Sequence, residues 1–257
     1  MTLTKNEVVL YQVDGGVARI TLNRPEKRNA LNDALVAELK ASLAKANDNE
    51  AVRVIVIIGA GNDFCSGADL SALQRIATAS VEENVADARS LVELFLLIRR
   101  VKVPVVAAVR GRALAGGCGL ATACDIVLAA RSARFGYPEV RVGFVPAIVM
   151  AILRRNVSEK RAFELVTLGA EISADEAERI GLVNKVLSEE GFDNEVENYV
   201  RRFEKVSRSA VSLSKSLLYQ IDGLSFVDAL QTGQDVNVAA RMTEDCKEGI
   251  ARFLKQD

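Results

Sequence analysis

Apolar and polar positions along the first fifty residues predict a β-hairpin followed by a helix. Two β-rich runs, Val8 to Val13 and Val17 to Leu22, flank Asp14-Gly15-Gly16, whose glycines permit the positive φ that a hairpin turn needs. From Asn32 onward, leucines recur every four residues with polar residues between them. This spacing predicts a helix with one buried stripe that runs to about Ala46.

Three later runs are almost continuously apolar, and they predict strands that are covered on both faces, as in a parallel sheet. These runs span residues 52–58, 105–109 and 126–129. Between the first two, Ser80 to Glu83 form a capping box that opens a helix. The resulting strand–helix–strand crossovers predict a right-handed parallel arrangement.

After residue 147 the pattern becomes mainly helical. Ser158 and Ser173 are the expected N-caps, Gly169 and Gly181 are the expected helix ends, and one short strand is predicted over residues 182–187. From about residue 192 to the end of the sequence only helical signals occur.

The domain organisation that follows is an α/β core with helices appended at its C-terminus. With 257 residues, of which 49% are apolar, the chain is long enough for one large domain or two small ones. It contains no repeat, low-complexity tract or obvious linker. We predict an α/β core over residues 1–195 and a helical region over residues 196–257.

Composition narrows the possible functions. The net charge of -1, from 33 basic and 34 acidic residues, argues against binding to nucleic acid or to an anionic membrane. No apolar run reaches the length of a membrane span, and the first ten residues do not resemble a signal peptide. The four cysteines form no CxxC pair and are expected to be reduced thiols. We therefore expect a soluble cytoplasmic protein with a small-molecule partner.

The absence of histidine excludes several kinds of chemistry. It removes Ser-His and Cys-His nucleophile systems, the HExxH metalloproteases and any histidine-ligated metal site, so no metal is expected. Proton transfer must then use Asp, Glu, Lys, Tyr or Cys.

Two glycine-containing loops follow adjacent predicted strands, at residues 59–70 and 110–120. The first loop does not match the dinucleotide fingerprint GxGxxG, because Phe64 stands where the last glycine is needed. Taken alone, each loop also fits ordinary strand-to-helix packing. Together they leave the carboxyl ends of neighbouring parallel strands, where open α/β sheets place ligands. Small residues there let a ligand oxygen approach backbone N–H groups, and two such amides make an oxyanion hole.

Two further segments carry charged groups. In residues 134–144 one carboxylate, Glu139, stands among apolar neighbours that would raise its pKa toward general acid–base use. A solvated glutamate fits the local sequence as well. The loop at residues 23–31 contains three cations, which are either solvated or available to phosphate groups.

Taken in order and spacing, these segments resemble the enoyl-CoA hydratase/isomerase family, also called the crotonase superfamily. The resemblance implies an α/β fold built as a spiral of ββα units, with C-terminal helices that mediate trimerisation. It also implies an acyl-CoA thioester as substrate, no separate cofactor because coenzyme A is part of the substrate, and a homotrimer or homohexamer. The matching stretches, from the first loop to the last helix, are NRPEKRNAL, FCSGADL, ALAGGCGLATACDIVLA, FGYPEVRVGF, ISADEAERIGLVNKV and KEGIARFL.

The resemblance also assigns roles to particular residues. The N–H groups of Ala68 and Gly116 are implied to hold the thioester oxygen, and Glu139 is implied to move the proton. Lys27 is a candidate for contact with the nucleotide phosphates. The other implied substrate contacts are Arg28, Ala30, Ser66, Asp69 and Leu70.

One position departs from the hydratase pattern. Typical hydratases carry a second glutamate where this chain has Gly119, so only Glu139 remains for acid–base work. Our leading prediction is an enoyl-CoA hydratase-type lyase, because that is the commonest activity of the family. A 3-enoyl/2-enoyl-CoA isomerase with Glu139 as single base, and a catalytically impaired acyl-CoA-binding protein, are the alternatives. Residues 144–150 predict an apolar acyl pocket.

Overall fold

A computed structural model describes residues 7–69, 74 and 78–255, and it shows a six-stranded sheet packed between helices. The strands are β1 (Val9–Asp14), β2 (Val17–Leu22), β3 (Val54–Gly59), β4 (Val105–Val109), β5 (Arg112–Leu114), β6 (Ile126–Ala130), β7 (Arg134–Gly136), β8 (Ile172–Ser173) and β9 (Lys185–Leu187). The order in the six-stranded sheet is β1-β2-β3-β4-β6-β9, with an antiparallel first pair and parallel pairs thereafter. A second sheet has three short strands in the order β5-β7-β8.

Helices connect the strands and form the C-terminal part of the chain. In the described residues the α-helices are α1 (Asp33–Asp48), α2 (Val81–Arg100), α3 (Gly116–Ala123), α4 (Ala147–Asn156), α5 (Glu159–Leu168), α6 (Ala174–Arg179), α7 (Phe192–Val200), α8 (Arg208–Gln220), α9 (Phe226–Arg241) and α10 (Glu244–Phe253). Three short 3₁₀ helices span Pro25–Lys27, Pro138–Val142 and Arg201–Lys205.

Both faces of the central parallel strands are buried, as their continuous apolar runs predict. In β3, Ile55 and Ile57 contribute to the larger apolar cluster on one face of the sheet. Val54 and Val56 contribute to the cluster on the other face, where α7 packs. Because successive strand residues point to opposite faces, an apolar residue is needed at every position.

Several local predictions are confirmed. The hairpin, α1 and the three buried strands lie where the pattern places them. Ser80 and Glu83 form the capping box of α2, and Ser173 caps α6 by accepting from the Glu176 N–H. The predicted cap at Ser158 precedes α5, but its side chain makes no capping hydrogen bond.

The structure differs from the prediction around the last strand. β9 begins at Lys185 rather than at Leu182, because the Leu182 and Val183 N–H groups both donate to the Ala177 carbonyl and close a turn after α6. The small second sheet was not predicted either. Its strands have only two or three residues, which is too short for an alternating pattern to stand out.

The C-terminal helices are joined to the sheet by apolar and charged contacts. Val196 and Val200 of α7 are buried against the sheet, and the predicted boundary at residue 195 falls within this helix. From α8, the buried Lys215 ammonium contacts Asp125 Oδ2 at 2.7 Å and donates to the Ile98 and Val103 carbonyls. Helices α9 and α10 bury no residue fully. Within the described ranges, no helix combines the length and apolar character needed to cross a membrane.

Candidate active site

The three segments singled out in the sequence are joined by backbone hydrogen bonds at one end of the sheet. The Cys65 N–H donates to the Arg112 carbonyl, and the Leu114 N–H donates back to the Cys65 carbonyl. The Ala115 N–H donates to the Gly136 carbonyl, just before the stretch that contains Glu139. The loop after β3, the turn from β5 into α3 and the 3₁₀ helix at Pro138–Val142 are therefore held side by side.

Ala68 lies beside the loop after β2 and directs its backbone N–H away from that loop. Leu31 donates to the Gly67 carbonyl and accepts from the Asp69 N–H, forming a parallel bridge with Ala68 as its partner. In this arrangement the bonds go to the residues on either side of Ala68, so the Ala68 N–H points away from Leu31. It has no acceptor in the described part of the chain, and the residue is exposed.

Gly116 presents the second free N–H. It is the first residue of α3, and the first four amides of a helix have no acceptor within the helix. The Gly116 N–H finds no other acceptor among the described residues. A Cβ atom placed on Gly67 would lie 3.5 Å from the Gly116 nitrogen, so the two loops meet here. With the positive end of the α3 dipole added, this pair of donors suits an oxyanion.

The close approach of the two loops explains their small residues. A Cβ atom on Gly117 would lie 2.2 Å from the Cys65 carbonyl oxygen, and one on Gly67 would lie 2.8 Å from Ala115 Cβ. Gly67 also has a φ of +92°, which residues with side chains seldom adopt. Ala115, with a φ of +50°, is held in such a conformation at the N-cap of α3, at a cost of about 1–3 kcal/mol.

Glu139 lies at the start of the 3₁₀ helix, directly after Pro138. Its Oε2 atom is buried and has no hydrogen-bond partner in the described part of the protein. Burial raises the pKa of this carboxyl above the usual value of glutamate. Burial also raises the pKa of the Cys118 thiol to about 12, and the charge of Glu139 adds to that shift. Cys118 lies in the first turn of α3. The Glu139 carboxylate is therefore near enough to interact with the start of the helix that carries the Gly116 amide.

Tyr137 anchors the chain two residues before Glu139. This side chain is fully buried, and its hydroxyl lies 3.4 Å from Thr122 Oγ1 on α3. Burial raises the pKa of Tyr137 well above its usual value, so the phenol is neutral. The residue fixes the backbone just ahead of Glu139 against α3.

At Gly119 the site is closed by apolar side chains. A Cβ atom on Gly119 would lie 2.1 Å from Val149 Cγ1 and 3.4 Å from Phe95 Cζ. Val149 projects from α4 and is 3% exposed, and Phe95 is buried on α2. The space that a side chain at residue 119 would enter is therefore occupied by Val149.

The predicted coenzyme A contacts fall into an exposed group and a buried group. Lys27 and Arg28 are exposed on the loop after β2, and their cations are accessible. Ser66 is half-buried, and its N–H donates to the Arg28 carbonyl at 3.0 Å. Ala30 is buried, and its carbonyl accepts from Arg24 Nη1 at 2.6 Å. Leu70 lies outside the described residues.

Asp69 is also buried, and its carboxylate forms an ion pair with Arg24 at 2.6 Å. That carboxylate is thus used inside the protein, and the Asp69 N–H also has a protein partner, the Leu31 carbonyl. Arg24 and the fully buried Asn29 together organise this loop, and neither was predicted as a site residue. Asn29 donates to the Ala60 and Asp63 carbonyls and accepts from the Arg24 N–H. The available signal was an asparagine at a turn, a residue that tolerates the φ of +53° seen here.

Four of residues 144–150 help to line an open, mainly apolar cavity of about 410 Å³ between the 3₁₀ helix, α4 and α5. Val140, the residue after Glu139, also lines it, but Glu139 itself does not. The four are Phe144, Val145, Pro146 and Met150. The apolar character predicted for this segment is thus present. Across residues 7–69, 74 and 78–255, no three His, Cys, Asp or Glu side chains come together as a metal site.

Comparison with known proteins matches this arrangement to one family. The family model described as enoyl-CoA hydratase/isomerase matches residues 12–257. The chain is 35% identical to crotonyl-CoA hydratase of Syntrophomonas wolfei, over 97% of this chain and 96% of that protein. The chain belongs to the enoyl-CoA hydratase/isomerase family.

Solved structures of enoyl-CoA hydratase/isomerase proteins share the fold. An enoyl-CoA hydratase from Mycobacterium smegmatis superposes with a TM-score of 0.93 at 33% identity, covering 98% of this chain and 97% of that one. Human enoyl Coenzyme A hydratase domain-containing protein 3 superposes with a TM-score of 0.91 at 31% identity, covering 97% of this chain and 98% of that one. The predicted crotonase-like α/β fold is confirmed.

Proposed function

We propose that this member of the enoyl-CoA hydratase/isomerase family moves a proton on an enoyl-CoA thioester with Glu139 as its single acid–base group. The Ala68 and Gly116 N–H groups would hold the thioester oxygen. The observation that carries the proposal is the packing at Gly119, where Val149 fills the space that a second carboxylate would need. This arrangement favours isomerisation of a 3-enoyl-CoA to a 2-enoyl-CoA.

The proposed reaction needs one base and a stabilised enolate. The Glu139 carboxylate removes a proton from C2 of the 3-enoyl thioester, and the electron pair passes into the carbonyl to give a dienolate. The two amides stabilise the oxygen as its negative charge develops, each donor contributing about 3 kcal/mol or more. The Glu139 carboxyl then returns the proton to C4, which yields the 2-enoyl thioester.

The surroundings of Glu139 support this role. Its buried Oε2 has no protein partner among the described residues and is thus available to a substrate C–H. Its pKa, raised by burial, makes the carboxylate a stronger base than a solvated glutamate. The exposed cations of Lys27 and Arg28 are placed to meet the phosphates of coenzyme A. The mainly apolar cavity lined by Val140, the residue after Glu139, suits an aliphatic acyl group.

Hydration of a 2-enoyl-CoA, the leading prediction from the sequence, is the second candidate. The names of similar proteins favour it, since the Syntrophomonas relative is called a crotonyl-CoA hydratase. Against it stands the missing second carboxylate, whose loss is expected to slow water addition by about 10²–10⁴-fold.

One pair of assays separates the candidates. The purified protein is offered a 3-enoyl-CoA and, in parallel, a 2-enoyl-CoA, and the products are identified by mass and chromatography. Formation of the 2-enoyl isomer with little hydroxyacyl product is the expected result. Rapid hydration with no isomerisation would overturn the isomerase proposal, and tight acyl-CoA binding without turnover would indicate the catalytically impaired binding protein.

We also propose that the protein assembles as a homotrimer or homohexamer through its C-terminal helices. The support lies in large apolar side chains that α9 and α10 leave exposed, including Phe226, Leu230, Ile250 and Phe253. Sedimentation of the full chain tests this proposal, with a monomer as the contrary outcome.

A further inference from the structure

We infer that Val149 determines the reaction class of this site by closing the position beside Gly119 against a second carboxylate and against attacking water. The inference deepens the proposed function and rests on it, because it names the residue that would make the site a one-base catalyst. Nothing in the local sequence around Val149 indicates such a role, since residues 147–153 read as an ordinary apolar helix.

The packing around Gly119 leaves no space for a side chain at this position. Gly119 lies one helical turn after Gly116, whose N–H is one of the two proposed donors, and it is buried. A Cβ atom there would lie 2.1 Å from Val149 Cγ1, 3.0 Å from Val149 Cβ and 3.4 Å from Phe95 Cζ. Contacts below 3 Å require one of the two groups to move, and both helices pack into the same core. Glycine at 119 and valine at 149 are therefore sterically complementary.

Water addition needs polar groups at this position, in addition to Glu139. In hydration the water oxygen bonds to C3 while one of its protons passes to a carboxylate. The electrons of the C2=C3 double bond move toward the thioester carbonyl, which gives an enolate. A second acid group then delivers a proton to C2, so that one water is added in total. Val149 and Phe95 offer neither a proton acceptor nor a hydrogen bond to hold that water. A site bounded by these residues retains proton transfer by Glu139 alone.

Geometry decides which substitution would open the position. Changing Val149 to alanine would leave its Cβ 3.0 Å from a new Cβ at residue 119, which is still crowded. Changing Val149 to glycine removes both close atoms, and residue 149 lies in the first turn of α4, where the loss of a side chain disturbs little of the helix. The informative protein is the double variant Gly119→Glu/Val149→Gly.

The experiment compares this double variant with Gly119→Glu alone. The single variant is expected to unfold at a temperature about 5 °C or more below the wild type, because the added side chain overpacks the core. In the double variant this loss should be largely recovered. Hydration of a 2-enoyl-CoA should rise about 10²-fold or more over the wild type in the double variant, as expected when a general acid–base group is supplied.

A matched control is Gly119→Glu/Ile152→Gly. It removes a larger buried side chain one turn further along the same helix, one that does not line the apolar cavity, and leaves Val149 in place. This control should keep the low stability and low hydration of the single variant. If Gly119→Glu alone is as stable as the wild type and hydrates as fast as the double variant, Val149 does not close the position and the inference fails.

The outcomes also separate this inference from the proposed function. If the wild type isomerises a 3-enoyl-CoA but the double variant, folded and still binding acyl-CoA by calorimetry, gains no hydration, the inference fails and the proposed function stands. If the wild type isomerises nothing while only the double variant hydrates, the proposed function fails and the role of Val149 stands. If the wild type already hydrates at the rate of the double variant, both are overturned.

Discussion

Arg24 Nη2 lies 2.6 Å from Asp69 Oδ2, and this ion pair ties the loop after β2 to the loop that carries Ala68. Both side chains are nearly buried, with exposed fractions of 12% and 8%. The same guanidinium donates to the Ala30 carbonyl, so one cation orders two predicted substrate-contact residues. The position of the Ala68 amide thus depends on a contact between residues far apart in the sequence.

Removing this pair should destabilise the fold and weaken substrate binding. Asp69→Ala leaves the Arg24 cation buried without its partner, which is expected to cost about 3–5 kcal/mol of unfolding free energy. Chemical denaturation measures the loss, and calorimetry with an acyl-CoA should show weaker binding. Asp175→Ala is the control, because its ion pair with Arg131 is more than half exposed and should change stability by under about 1 kcal/mol. Equal losses in the two variants would contradict this account.

Gly67→Ala tests the junction between the two loops that present the donors. The added Cβ would meet Ala115 Cβ at 2.8 Å and the Leu114 oxygen at 3.0 Å, so the Ala68 and Gly116 amides should move apart. We expect kcat/KM to fall by about 10²-fold, the effect of losing one such donor. Gly223→Ala is the control, since Gly223 also has a positive φ but has open space around it. It should lose some stability and keep its kcat/KM.

Glu139→Gln tests the proposed base. The amide keeps the size and shape of the side chain but accepts no proton, so turnover should fall by about 10²–10⁴-fold while acyl-CoA binding persists. Glu190→Gln, at an exposed position, should behave as the wild type. Unchanged turnover in Glu139→Gln would remove this residue from the mechanism.

The pH dependence of kcat/KM should report the same group. Proton removal needs the ionised carboxylate, so activity should be lost as pH falls through the pKa of Glu139, which burial raises above the usual glutamate range. The same shift favours the protonated carboxyl in the folded state. Protonation of Glu139 as the pH falls should therefore not lower the free energy of unfolding. Circular dichroism over the same pH range separates lost activity from unfolding. An acid limb at the ordinary glutamate pKa would contradict the burial.

Lys215→Met tests how α8 is held on the core. Among the described residues, the change leaves the Asp125 carboxylate with the Tyr219 hydroxyl and the Val105 N–H as partners. Breaking a buried pair is expected to cost about 3–5 kcal/mol. Lys247→Met removes an exposed i,i+3 pair with Glu244 and should cost under about 1 kcal/mol. Denaturant titrations compare the two variants, and a Lys215→Met protein as stable as the Lys247→Met control would show that the buried pair contributes little.

The sequence alone determined the main elements and the segments of the site. The unbroken β-branched runs required strands buried on both faces, and the loop glycines marked where backbones approach closely. These features depend on local backbone preference and on the side-chain period, which neighbouring residues express directly. Glu139 and the two amides were predicted from such motifs together with the family resemblance.

Tertiary structure alone decided what lies against each group. The Asp69 carboxylate is held by Arg24, and the space beside Gly119 is filled by Val149, thirty residues further along the chain. The tie between Lys215 and Asp125 spans the core in the same way. Such contacts depend on how helices and loops pack in three dimensions, and no local pattern of hydrophobic and polar residues encodes the distance between two side chains far apart in sequence.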